Sequence, residues 1–169
     1  MYSDILYPTD GSRGSIAALE HVRDLAERYD ATVHVLSVLD TTHPALGLGD
    51  DPDKEAVPGM VGHPEGGDEG MIGRRETAGE LHEREQGRAE TIVEEVASRL
   101  ESVDTRTAVQ EGTPHEVILE YADDVDMIVM GTHGYTGFER YMLGSVAEKV
   151  VRMADVPVVT VRAPAESSS

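Results

Sequence analysis

The chain has 169 residues, with 33 Asp plus Glu against 14 Lys plus Arg, a formal charge of −19 and no cysteine. That length suits one domain with a modest core, and the acidity argues against a nucleic-acid partner, because no basic cluster exceeds Arg74-Arg75 and phosphate backbones require a basic face. Absent cysteine, there is no disulfide framework, thiolate nucleophile or cysteine-ligated zinc, and no run approaches the roughly 20 apolar residues of a membrane-spanning helix.

Only Lys54 and Lys149 are lysines. A surface with so few of them and so many carboxylates repels itself at low salt, and concentrated cations screen that repulsion. The expectation is a cytoplasmic, halophilic protein. The opening residues MYSDILYPTDGS carry no basic leader and no long apolar stretch, so no secretion signal is expected.

In chain order, short apolar runs alternate with longer amphipathic ones. Ile5-Leu6-Tyr7-Pro8 reads as the first strand. After Asp10-Gly11-Ser12, the recurrence of Ile16, Leu19, Val22, Leu25, Ala26 and Tyr29 at spacings of three and four marks a helix facing a sheet. The β-branched run from 32 to 38 is the second strand. Residues 40–75 hold eight Gly and four Pro among 36 positions, without a sustained period, and read as a loop insertion. Helical periodicity returns over 80–103, with Ala89, Ile92, Val93, Val96, Ala97 and Leu100 on the buried face, and a third strand follows at 105–109. Thr113-Pro114-His115-Glu116 combines a capping Thr, Pro at the first helical position and Glu three after the cap, which starts a helix. The fourth strand is Met127-Ile128-Val129-Met130, the last helix runs over 145–153, and Pro157-Val158-Val159-Thr160-Val161 is the fifth strand. Strands four and five are apolar enough to be buried on both faces. Residues 1–162 form the domain, and 163–169 a frayed tail. The result is an α/β fold: a doubly wound five-stranded parallel sheet with helices on both faces, Rossmann-like.

In such sheets ligands bind beyond the carboxyl ends of the strands, where strand order reverses. Gly131 and Gly134 follow strand four and let backbone approach a ligand. Gly144-Ser145 opens a helix whose free N–H groups, hydroxyl and positive dipole end suit a phosphate. The plain alternative is that the two glycines make a turn and Ser145 caps its helix; likewise Asp10 either meets a ligand or caps the first helix. Neither GxxxxGK[ST] nor GxGxxG after strand one is present.

The stretch MGTHGYTGFERYMLGSVAEKVVRMADVPVVTVR closely resembles the carboxyl-terminal signature of universal stress proteins, with the G-x2-G-x9-G-S pattern on Gly131, Gly134, Gly144 and Ser145. The opening ILYPTDGS and Val35 through Asp40 extend the resemblance to everything but the Gly-rich loop and the tail. It implies the nucleotide α-hydrolase type of fold and an ATP site, since the full glycine pattern goes with ATP-binding members. By resemblance, Pro8, Thr9 and Asp10 sit beside the nucleoside, with Asp10 on the ribose hydroxyls, and Val38 meets adenine through its backbone. Met130 and Gly131 line the sugar side, and His133, Gly134, Gly144, Ser145 and Val146 surround the phosphates.

Two departures from the family pattern matter. Ala147 stands where many nucleotide-binding relatives have Ser or Thr, and Tyr135 where a basic residue is common, which shifts weight to Mg²⁺ held by phosphate oxygens and water. His133 reads as a pocket-wall donor, no catalytic residue is assigned, and slow ATP hydrolysis is the most that is expected. Glu148 and Lys149 read as an exposed helical pair, and His34 as a satisfied strand residue. The resemblance also implies a homodimer through the last strand, between Val156 and Val161, with no nucleic acid or membrane as partner. The competing readings are a dimeric protein-interaction module without nucleotide and an adenylating or flavin enzyme, for which no second domain is in sight.

Overall fold

The computed structural model describes residues 1–42, 77–132 and 143–164. Among them the chain forms β1 (Asp4–Pro8), α1 (Arg13–Tyr29), β2 (Thr32–Asp40), α2 (Ala78–Arg99), β3 (Thr105–Gly112), α3 (Pro114–Ala122), β4 (Met127–Gly131), α4 (Ser145–Met153) and β5 (Val158–Val161). The expected doubly wound parallel sheet is present, in the order β3-β2-β1-β4-β5. The order reverses between β1 and β4, which places the switch point beside the first strand.

Each face of the sheet is closed by one pair of helices. Ala18, Leu19 and Val22 of α1 and Val93 and Val96 of α2 pack with Ile5, Tyr7, Val33, Val35 and Val129. On the other face, Val117 and Ile118 of α3 and Ala147 and Val150 of α4 pack with Leu6, Leu36, Ile128 and Met130. Alternate residues of one strand therefore serve opposite cores, the two-residue period of β structure.

Several boundaries differ from the sequence reading. β2 continues to Asp40 and β3 to Gly112, because the two strands pair over their full length as far as Asp40↔Gly112. α2 begins earlier and ends at Arg99 rather than 103, where Leu100 N turns tightly onto Ala97 O at 3.0 Å. Its start is fixed by a capping box: Thr77 Oγ1 accepts from Glu80 N, and Glu80 Oε2 accepts from Thr77 N at 2.9 Å. α3 starts at Pro114 as expected, yet Thr113 makes no side-chain cap bond. β5 is an edge strand whose Val158, Val159 and Thr160 are only half-buried, so it is not enclosed on both faces. Glu148 pairs with Arg152, one turn on, and not with its neighbour Lys149. His34 is satisfied by Asp4, Nε2 to Oδ1 at 2.7 Å. The loop expected at 40–75 falls almost wholly outside the described residues.

At the amino end of the sheet, Asp126 clamps β1 to β4. Its Oδ2 accepts from Ser3 N at 2.8 Å and Asp4 N at 3.1 Å, while its own N–H donates to Asp4 O. Above that clamp β1 and β4 pair only at Ile5↔Met127 and Leu6↔Ile128. By contrast β1 stays with β2 up to Pro8↔Leu36, and β4 stays with β5 up to Gly131↔Val161. The central pair of strands thus parts toward its carboxyl ends.

Candidate functional site

The loop after β1 forms the near wall of the opening between the strands. Its path is set by four buried polar residues. Tyr7 Oη donates to Ser15 O at 2.6 Å, Thr9 Oγ1 donates to Ser15 Oγ at 3.0 Å, and Ser15 Oγ donates to Ser12 O at 3.0 Å. Thr9 Oγ1 also accepts from Gly11 N, which holds Gly11 at φ 74, a conformation that glycine adopts without strain. Burial pushes the Tyr7 phenol up to about 12, so it stays a neutral donor.

This arrangement separates two residues that the sequence reading put side by side. Thr9 is buried, at 5% exposure, with its hydroxyl turned into the protein. Asp10 is exposed, and its Oδ1 accepts from Ser12 N at 2.9 Å. Ser12, not Asp10, caps α1, its side chain accepting from Ser15 N. The carboxylate of Asp10 is therefore a rim group pinned by one oxygen, with the other oxygen unengaged among the described residues. Pro8 is buried at the end of β1, and Val38 lies half-buried on β2, two residues past the partner of Pro8.

The far wall is the end of β4. Met130 is buried and its side chain belongs to the core with α3 and α4, so only its backbone remains for the rim. A Cβ on Gly131 would lie 2.5 Å from both C and O of Gly14, which shows what this glycine does: it lets the first turn of α1 press directly on β4. Sequence reasoning assigned the close approach to a ligand and missed the helix, because nothing in the linear order shows α1 crossing over β4.

From Gly131 the backbone turns across the top of the sheet. Thr132 N donates to Val161 O at 2.9 Å, and Gly144 N donates to Thr132 O at 2.7 Å, which brings the start of α4 against the end of β4. Gly144 is the N-cap and Ser145 the first helical residue; no side chain caps this helix. The plain reading of Ser145 as a cap therefore fails. The first helical bond is made by Glu148 N to Gly144 O, so the N–H groups of Ser145, Val146 and Ala147 have no partner within the helix. Exposed Ser145 and half-buried Val146 stand at that end. His133 and Gly134 lie outside the described residues.

Two helix N-termini, α1 on one face and α4 on the other, thus flank one cleft between the ends of β1 and β4. One wall thus carries a carboxylate pinned through one oxygen, and the other, among the described residues, the positive end of a helix whose first N–H groups have no partner within the helix. A separate hollow of about 290 Å³ lies at the opposite end of the sheet. It is lined by Glu27, Asp30, Glu101 and Asp104, which makes it hostile to an anion.

Comparison with known proteins agrees with this architecture. Residues 1–162 match the profile of the Universal stress protein family. Universal stress protein MJ0531 of Methanocaldococcus jannaschii is 35% identical over 97% of this chain and 84% of its own length, and universal stress protein MJ0577 of the same organism is 32% identical over 96% of each. The solved structure of MJ0577 has a TM-score of 0.72 at 28% identity, covering 98% of this chain and 99% of that one. More distant structures share the fold. A universal stress protein in complex with cAMP has a TM-score of 0.62 at 18% identity, covering 96% and 98% of the two chains. An Arabidopsis thaliana family protein with AMP bound has a TM-score of 0.63 at 13% identity, covering 99% and 95%. The glycine-serine signature, the parallel sheet in 3-2-1-4-5 order and the matched span lead to one assignment: the chain belongs to the universal stress protein family.

Proposed function

We propose that the protein binds ATP in the cleft between β1 and β4 and acts as a nucleotide-dependent regulator of a stress response. The observation that carries this reading is the parting of the two central strands above Leu6 and Ile128, with an exposed carboxylate on one lip and an uncapped helix start on the other. The neighbours solved with cAMP and AMP support an adenine nucleotide as the ligand class. In this reading Asp10 accepts from the ribose hydroxyls, Pro8 and the Thr9 backbone border the nucleoside, and the Val38 backbone meets adenine. Met130 and Gly131 flank the sugar through backbone atoms, and Gly144, Ser145 and Val146, with His133 and Gly134, surround the phosphates. Mg²⁺ would be held mainly by phosphate oxygens and water. Slow hydrolysis is the most that such a binding site supplies.

The same reading makes the protein a cytoplasmic homodimer. β5 is an edge strand with half-buried valines, and exposed Val151 and Met153 lie on the preceding helix. An apolar edge of this kind is stabilised by pairing with a second copy.

The test is the nucleotide content of protein purified in high salt, followed by ATP titration of wild type and Asp10→Ala. Retained adenine nucleotide and a loss of about tenfold or more in the variant are expected. A folded wild type that binds no ATP would overturn the reading and leave a dimeric protein-interaction module.

A further inference from the structure

Asp10 is exposed, and one bond, from Ser12 N to its Oδ1, pins its carboxylate. A side chain held in this way keeps its place only if the loop on either side of it is fixed. One residue fixes both sides. Ser15, buried in the first turn of α1, accepts from Thr9 Oγ1 at 3.0 Å, and the same hydroxyl donates to Ser12 O at 3.0 Å. Its backbone N–H donates to Ser12 Oγ at 3.3 Å. Thr9 precedes Asp10 and Ser12 supplies the N–H that pins it, and both are buried.

The same residue reaches β1 and the opposite wall of the cleft. Tyr7 Oη donates to Ser15 O at 2.6 Å, which ties the turn to β1 itself. A Cβ on Gly131, the last residue of β4, would lie 2.8 Å from Ser15 N. The hydroxyl, N–H and carbonyl of Ser15 thus all bond to the near wall, while its backbone lies against the far one. Alanine at this position would leave the buried Thr9 hydroxyl without its acceptor.

We infer that Ser15 is a positioning residue, which sets the place of the Asp10 carboxylate and the separation of the two walls, and through them the preference for a ribose over a deoxyribose. This rests on the cleft being the nucleotide site with Asp10 on the ribose hydroxyls. Ser15 meets no ligand itself, because its hydroxyl is buried and engaged by Thr9 and Ser12. Its part is to hold a charged acceptor so that the second oxygen stays turned to the ligand. Such a group discriminates only when it cannot follow an ill-fitting partner, and a satisfied buried network supplies that rigidity.

The experiment is calorimetric titration of wild type, Ser15→Ala, Asp10→Ala and the double variant with ATP and 2′-deoxyATP, with thermal melts to show that each is folded at the titration temperature. Wild type is expected to prefer ATP by about tenfold or more, and Ser15→Ala by about threefold or less. In the Asp10→Ala background, Ser15→Ala should lower the ratio no further, since both act through one carboxylate. An unchanged ratio in Ser15→Ala, equal losses for the two nucleotides, or a further fall in the double variant overturns the inference. A wild type that binds the two nucleotides equally also overturns it, with the nucleotide site still standing. Binding of neither by wild type overturns the site, and the inference with it. Should Ser15→Ala not fold, Thr9→Val breaks the same bond from the loop side, and its ratio decides in the same way.

Discussion

Gly131 shows how little room the cleft leaves. Its Cα lies where a methyl group would overlap the Gly14 backbone, which cannot swing aside as a side chain tip can. Gly131→Ala must therefore displace the first turn of α1 and is expected to cost about 1–3 kcal/mol, lowering the melting temperature by roughly 3–10 °C. A thermal melt of the variant that matches wild type would show that α1 shifts freely. Tyr7 offers a pH-resolved test. Its folded-state pKa is raised from 10.0 to about 12, so the neutral form is favoured in the native state. The native protein then binds this proton more tightly than the unfolded chain, and the stabilisation is fully present below pH 10 and lost as pH rises toward 12. About 2–3 kcal/mol is at stake. Urea denaturation between pH 9 and 12 should show a steep alkaline decline in wild type and a flatter one in Tyr7→Phe, which starts about 1 kcal/mol lower because Ser15 O loses its donor.

At the scale of elements, the two helix starts with Thr make a controlled pair. Thr77 caps α2 through a complete box, whereas Thr113 precedes α3 without a side-chain bond. Thr77→Ala is expected to lose about 1 kcal/mol and Thr113→Ala clearly less, as read by chemical denaturation. Equal losses would mean that Pro114 alone does not start α3. The contrast also explains what was legible beforehand. Most of the described strands and helices were readable from apolar runs and spacing, because burial on a sheet or under a helix imposes periods of two and 3.6, whereas α3 was read from its capping pattern. The capping pattern at 113–116 was readable, but the lack of a side-chain bond from Thr113 was not; Pro at the first helical position already fixes the backbone there. The ends of β2 and β3 were not readable either, because each is extended by the other and neither carries that information alone. In the cleft, Asp10 and Gly144-Ser145 stand out in the sequence because their chemistry is unusual at strand and helix ends. The inward hydroxyl of Thr9 and the packing role of Gly131 become visible only once the strand order is known.

For the molecule as a whole, the excess of carboxylates sets the response to salt. Raising KCl from 0.1 M to 1 M shortens the screening length from about 10 Å to about 3 Å, and the melting temperature is expected to climb by several degrees. A flat response in scanning calorimetry would show that self-repulsion does not limit stability. The edge at β5 gives the second test at this scale. If the proposed dimer pairs through β5, Val159→Lys, which places a charge in a half-buried strand position, should lower the mass to that of a monomer in light scattering; an unchanged mass would end the assignment of β5 as the interface.

The position of β1 in the sheet has a consequence for how the chain folds. β1 precedes all the other strands in sequence, yet it sits in the middle, between a neighbour close by in the chain and one more than a hundred residues away. As synthesis proceeds, the 3-2-1 half can assemble once Gly112 has emerged, leaving Ile5 and Leu6 on a bare strand edge until Met127 and Ile128 arrive. The seam between the two halves is the last to close, so an interrupted chain would present the apolar edge of β1 to any passing partner. Completion of the cleft and protection from misassembly are then one late event.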